Sequence, residues 1–378
     1  MNILVTGGAG FIGSHVVTKL LHGNGYTVTV LDNLSPQIHG DDPVHTSPLF
    51  QSLPAGIKFI HGSVTEKKDW IEALHNQHII IHLAAETGTG QSMYEVEKYT
   101  NVNIGGTALL LDILANTKHT VRKIVLASSR AIYGEGKYFS KELGVVYPSA
   151  RNEADLIKEN FEVKYPGAVT PLELMATDEE AKIHPTSVYG ITKQNQEQML
   201  MMVCKALGID AVALRFQNVY GPGQSLRNPY TGILSIFSTL INNNQALNIF
   251  EDGKMCRDFI FIDDAVEAIL LGTEKGVAAG NVYNAGFGEP VDVLTVAHTL
   301  YKHYEQETQI CISGNIRVGD IRHNYADIAK IKSHLGFLPK INFETGSRLF
   351  AHWVKEQGPV ESTYTKSILE MKERGLYK

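Results

Sequence analysis

The chain has 378 residues, enough for two domains or for one large domain with a lobe. A hydrophobic content of 43% with 20% charged residues is ordinary for a globular protein, and a net charge of −6 offers nucleic acid no basic footprint. No apolar run approaches the ~20 residues that span a bilayer. Cys204, Cys256 and Cys311 are too scattered to predict a disulfide framework or a zinc site. The opening residues lack the basic, apolar and small-residue regions of a secretion signal, so a cytoplasmic protein with no membrane partner is expected.

Ile3, Leu4 and Val5 predict a short buried strand, and residues 11–21 a helix with Ile12, Val16, Leu20 and Leu21 on one face. Between them stand Gly7, Gly10 and Gly13, followed by Phe11 and Ile12 within the same turn. Glycines let a backbone turn sharply and approach a diphosphate closely, and a helix N-terminus favours the anion. A second strand, 27–31, ends at Asp32 and Asn33. An acid about 20 residues after the glycines suits the ribose hydroxyls of NAD and repels the extra phosphate of NADP. The expected cofactor is NAD.

Residues 33–56 are rich in Pro, Gly, Ser and His and predict a surface loop near the adenosine end. Strands are expected at 57–60, 79–83 and 121–127, and helices at 66–74 and 100–116. Alternating strands and helices predict an α/β fold, a doubly wound parallel sheet. Small residues follow the fourth strand, at Ala84 and Ala85 and on to Thr87, Gln91 and Ser92, where a ligand can approach backbone. From 135 to about 184 the pattern breaks, which predicts an insertion or lid beside the site. A helix over 187–206 and a strand over 210–214 follow, then loops, short elements and helices at 264–271, 293–304 and 326–335. The expected division is a dinucleotide-binding domain over 1–214 and a smaller, mainly substrate-binding C-terminal lobe over 215–378, with some segments returning to the first domain.

Ser128, Ser129 and Arg130 stand at the C-terminal end of the fifth strand, where open parallel sheets place their sites. Tyr189 and Lys193 are one helical turn apart and share a face. An ammonium near a phenol favours the phenolate, so Tyr189 is the expected base, with Ser129 bonding the same substrate oxygen.

Together these marks resemble the extended short-chain dehydrogenase/reductases, in the nucleotide-sugar epimerase/dehydratase branch, with a Rossmann fold. The resemblance also rests on Asn103 before Gly106-Thr107, the run Asn218 to Pro222, and Arg257-Asp258-Phe259. It implies Ser129, Tyr189 and Lys193 as catalytic residues, and Ser63, Val64, Leu83, Ala84, Ala85, Asn103 and Ser128 beside the cofactor. It implies nucleotide-sugar contacts from Asn218, Arg257 and Arg322, whose forks match diphosphate oxygens. Dehydratases of the branch carry acids before the Tyr-Gly pair, whereas this chain has Arg130 and Ala131, which supply no acid to expel hydroxide. That favours epimerase over dehydratase. Residues 86–93, 228–232 and 249–253 are similar to the dTDP-L-rhamnose 4-epimerase group, and imply that substrate class. Some of that group carry paired cysteines in the insertion, but residues 165–168 have none, so no metal is expected. A 4-ketosugar reductase and a non-catalytic NAD-binding protein are the competing readings. Analogy with the family implies a homodimer through the helices at 100–116 and 187–206.

Overall fold

A computed structural model describes residues 1–23, 25–230 and 232–378. Thr231, within the 228–232 stretch, lies outside the described residues. Seven strands form one parallel sheet: β1 (Asn2–Thr6), β2 (Thr27–Asp32), β3 (Lys58–His61), β4 (Ile79–His82), β5 (Lys123–Ser129), β6 (Asp210–Phe216) and β7 (Asn281–Ala285). Their order across the sheet is β7-β6-β5-β4-β1-β2-β3. The order reverses between β1 and β4, so both strand ends open into one crevice there.

Side chains alternate between two cores, because strand residues point to opposite faces. Ile3 and Val5 pack with Val16 and Leu20 of α1 (Phe11–Gly23). Leu4 packs on the other face with Leu110 and Leu114 of α2 (Gly106–Asn116), Leu200 of α3 (Val188–Leu207) and Trp70. Each fully buried aliphatic side chain stabilises the fold by roughly 1.5–3 kcal/mol. Beyond residue 215, β7 completes the sheet edge, and α4 (Ile262–Glu274) packs Ala265, Val266 and Ile269 into the first core.

Several segments depart from their sequence expectations. Residues 36–51 hold three single-turn helices, Pro36–His39, Pro43–Thr46 and Pro48–Gln51. Each opens on a proline, whose fixed φ suits the first helical position. The helix expected over 100–116 is interrupted by a π-helical segment, Thr100–Gly105, before α2. The Asn103 side chain is held there by Glu86 and Thr192. Residues 135–184 carry a three-stranded antiparallel sheet, Gly144–Val146, Tyr138–Ser140 and Glu173–Leu174. The helix expected at 326 starts at Ala329, because Ala326 is extended and bridged to Thr177, whose backbone bonds Tyr325 and Asp327. Helix Ile233–Asn242 stands where the sequence predicts loops and short elements, and helices Phe343–Glu356 and Tyr364–Glu373 lie beyond the last predicted element.

Candidate active site

The glycine turn is built by close approach. Gly7 has φ +68°, and a Cβ there would sit 2.8 Å from the Ala84 nitrogen. A Cβ on Gly13 would lie 2.1 Å from the Gly7 oxygen. The Gly7 amide donates to the Leu31 carbonyl at 2.9 Å, which ties the turn to the end of β2. Asp32 closes the same corner: its carboxylate accepts from the Ala9 amide and from the Leu34 amide, each at 2.9 Å. α1 begins at Phe11, so its free N-terminal amides and positive dipole end face the crevice, the arrangement an adenine dinucleotide's diphosphate requires.

At the end of β5, Ser129 Oγ accepts from the Ala131 amide at 3.1 Å, which opens the 3₁₀ turn Arg130–Tyr133. The first turn of α3 is docked against this turn. A Cβ on Gly190 would come within 2.6 Å of the Ala131 carbonyl, so only glycine permits the approach. Ser187 caps α3 by accepting from Gly190, and the Tyr189 amide donates to Ser92 Oγ at 3.0 Å. The Tyr189 ring stands edge-on to Tyr99, with centroids 6.4 Å apart.

Burial raises the Tyr189 phenol above its ordinary range, while the Ser129 hydroxyl and the Arg130 guanidinium pull it down. Burial pushes Lys193 down to about 7, opposed by Glu197. Lys193 Nζ donates to Gln196 Oε1 at 2.7 Å, and Gln196 donates on to Thr107. Sequence spacing had pointed to Lys193 as the cation acting on Tyr189. In the folded chain the Arg130 guanidinium adds a second positive charge near the Tyr189 phenol. Arg130 has no hydrogen bond or ion pair among the described residues.

Behind the site, Arg215 grips Glu197 with Nε and Nη2 at 3.0 and 2.6 Å, and Ser128 Oγ donates to the same carboxylate at 2.6 Å. Arg215 also donates to the Tyr133 hydroxyl at 2.7 Å. This buried cluster joins the end of β5 to α3 and β6. Charge-assisted, two-pronged bonds fix orientation as well as energy.

Of the residues singled out from sequence, Gly7, Gly10, Phe11, Ile12, Gly13, Asp32, Asn33, Ser63, Val64, Leu83, Ala84, Ala85, Thr87, Ser128, Ser129, Arg130, Tyr189, Lys193, Asn218 and Arg257 line one cavity of about 560 Å3. Four others do not. Gln91 is buried against Gln37 and Glu95. Ser92 holds the Tyr189 backbone. Asn103 pins the loop after β4 to α3. Arg322 is wholly buried among Glu162, Glu251 and Asp252. The arginine that enters the cavity from that segment is Arg317, which donates through Nε and Nη2 to Asp320 at 2.9 and 3.0 Å. Sequence reasoning passed over it, because 317–320 is a turn rather than a helix and its spacing to Asp320 carries no signal in the sequence. Glu197 and Arg215 were also missed, since their pairing joins a helix to a strand. A wider groove lies alongside, lined by Lys19, His22, Asp263 and Lys366, and Ser129, Tyr189 and Lys193 are not part of it.

The model of the NAD dependent epimerase/dehydratase family matches residues 3–154 and 164–286. A dTDP-L-rhamnose 4-epimerase of Burkholderia thailandensis is 38% identical over 358 residues, covering 94% of this chain and 95% of that protein. The solved UDP-glucose 4-epimerase of Thermotoga maritima, with UDP-glucose, superposes with a TM-score of 0.74 at 31% identity, covering 94% of this chain and 99% of that one. The UDP-glucuronic acid 4-epimerase of Bacillus cereus, in complex with UDP-glucuronic acid and NAD, gives 0.77 at 25% identity, covering 94% and 100%.

Proposed function

Because this chain belongs to the NAD dependent epimerase/dehydratase family, we propose that it interconverts the C4 epimers of a nucleotide-activated sugar, with dTDP-L-rhamnose the first substrate to try. The observation that carries the reading is the meeting of Ser129 and Tyr189 above Lys193 at the end of β5, with Arg130 and Ala131 where a dehydratase needs an acid. When bound, NAD supplies a reversible hydride acceptor. The glycine turn and Asp32 would hold its adenosine half, and Lys193, which lines the same cavity, would stand on the nicotinamide side. Tyr189 takes the 4-hydroxyl proton at its phenolate oxygen and returns it after the sugar has turned, while Ser129 bonds the same oxygen. The Arg257 guanidinium donates to the Cys256, Ile321 and Arg322 carbonyls and pairs with no carboxylate among the described residues, and with Arg317 it would receive the diphosphate.

The experiment is a panel of nucleotide sugars followed by NMR. With deuterium at C4, the label should remain at C4 in the epimeric product. Loss of water from the sugar would favour a dehydratase, and net consumption of added NADH a reductase.

The same reading divides the chain into an NAD-binding part, residues 1–214, and a mainly substrate-binding part, residues 215–378. It extends to a homodimer. α2 and α3 pack side by side, and Ile191 and Met202 on α3 are 45% and 74% exposed. A second copy would cover these side chains, and sedimentation velocity tests it. No helix among the described residues is long and apolar enough to cross a membrane. We place the protein in the cytoplasm, with its cysteines free, and cell fractionation checks that.

A further inference from the structure

The proposed site leaves one wall of the cavity unassigned. Tyr364 and Met371, on the helix Tyr364–Glu373, line the same cavity as Ser129 and Tyr189. Met371 is 2% exposed, and a Cβ on Gly90 would lie 3.4 Å from its sulfur. The helix therefore sits over the loop that follows β4. Glu370 fastens it there: its Oε2 accepts from the Tyr230 hydroxyl at 2.6 Å and from the Tyr94 hydroxyl at 3.2 Å. The Arg374 guanidinium stacks over the Tyr94 ring at 4.5 Å.

The residues after the helix fasten it to the segment bearing Arg317. The Val318 amide donates to the Leu376 carbonyl at 2.9 Å, and Ile316 and Lys378 exchange backbone bonds of 2.7 and 3.0 Å. The Tyr377 hydroxyl accepts from Asn248 and Asn315 at 3.1 and 2.8 Å.

Resting on the epimerase reading, we propose that Tyr364 and Met371 are substrate-contacting residues that close the sugar side of the cavity, and that Glu370 is the positioning residue that holds them in place. The chemistry asks for such a wall. A 4-ketosugar must turn over inside the protein without leaving it, and a phenol ring with a thioether covers it with apolar surface while excluding water. The glycine turn is built from the backbone of residues 7–13, Leu31 and Ala84, so loss of the wall should release sugar and spare NAD.

The test uses the full chain with Tyr364→Ala, Met371→Ala and Tyr94→Phe, the last removing a bond to Glu370 without altering the cavity lining. The two alanine variants should raise KM for the nucleotide sugar about tenfold, the scale of a lost apolar pocket contact. They should also release free 4-ketosugar into solution, with NAD content and circular dichroism unchanged. Tyr94→Phe should move both readouts the same way by less. Folded alanine variants with wild-type KM and no released ketosugar would overturn the proposal. If they do not fold, amide exchange in the wild type decides: added nucleotide sugar should slow exchange across residues 364–373, and unaltered exchange there would equally overturn it. Wild-type protein that turns over no sugar of the panel removes the epimerase reading and this inference together. Active wild type with indifferent variants removes only this inference.

Discussion

At the scale of single residues, the site is governed by what burial does to ionisable groups. Desolvation makes the Tyr189 phenol harder to ionise, and Ser129 and Arg130 act against that. Tyr189→Phe is expected to leave the fold and bound NAD intact and to lower turnover at least ~100-fold, the lower end for removal of a general base. Steady-state kinetics on the epimer pair checks it. Arg130→Met should move the acid limb of the rate profile to higher pH. The sign follows from the charge: removing a cation that favours phenolate raises the tyrosine pKa. Activity that needs phenolate is lost as pH falls through that pKa, so the loss then begins at higher pH. A profile of kcat/KM against pH reads the shift directly, and an unmoved limb would separate Arg130 from the base.

Elements matter here through their contacts as much as through their lengths. α3 delivers Tyr189 because Gly190 lets its first turn rest on Ala131. Gly190→Ala should push that turn away from Ser129, since the obstructing atom is backbone and cannot rotate aside. Turnover is expected to fall about 100-fold, the cost of misplacing a reacting group by about 1 Å. Thermal melting should show a smaller loss, and kinetics with calorimetry on the same sample compares the two. The π-helical segment Thr100–Gly105 has a similar positioning role. It presents Asn103 to Glu86 and Thr192, so the loop after β4 and the start of α3 are held by one side chain.

In the molecule as a whole, charged side chains from distant segments tie residues 135–184 to residues 251–252 and 320–322. Arg151 bonds Glu251 and the Asp320 carbonyl, while Arg322 gathers Glu162, Glu251 and Asp252. Asp320 in turn pairs with Arg317 in the cavity. Arg322→Met should therefore act on stability first. Leaving Glu251 buried with half its partners removed is expected to cost about 3 kcal/mol or more, the scale for breaking a buried ion pair. Denaturant unfolding measures it. A variant of wild-type stability with a raised KM would restore Arg322 to direct substrate contact.

The sequence by itself determined six strands of the sheet and the glycine turn, and it singled out Ser129, Tyr189 and Lys193, which line one cavity. Those signals are local: apolar runs of strand length, glycines where a Cβ has no room, and a tyrosine and lysine one helical turn apart. Asp32 was legible for the same reason, because its distance from the turn is fixed by one strand and one helix. Tertiary structure decided which charged groups face the cavity. Arg322 and Arg317 lie five residues apart and look alike in sequence, yet three carboxylates from two other segments bury the first while the second meets the ligand side. The pairing of Glu197 with Arg215, the return of β7 to the sheet and the C-terminal helix over Gly90 belong to the same class. Each depends on where chain far away in sequence comes to rest, and no periodicity or spacing within one segment encodes that.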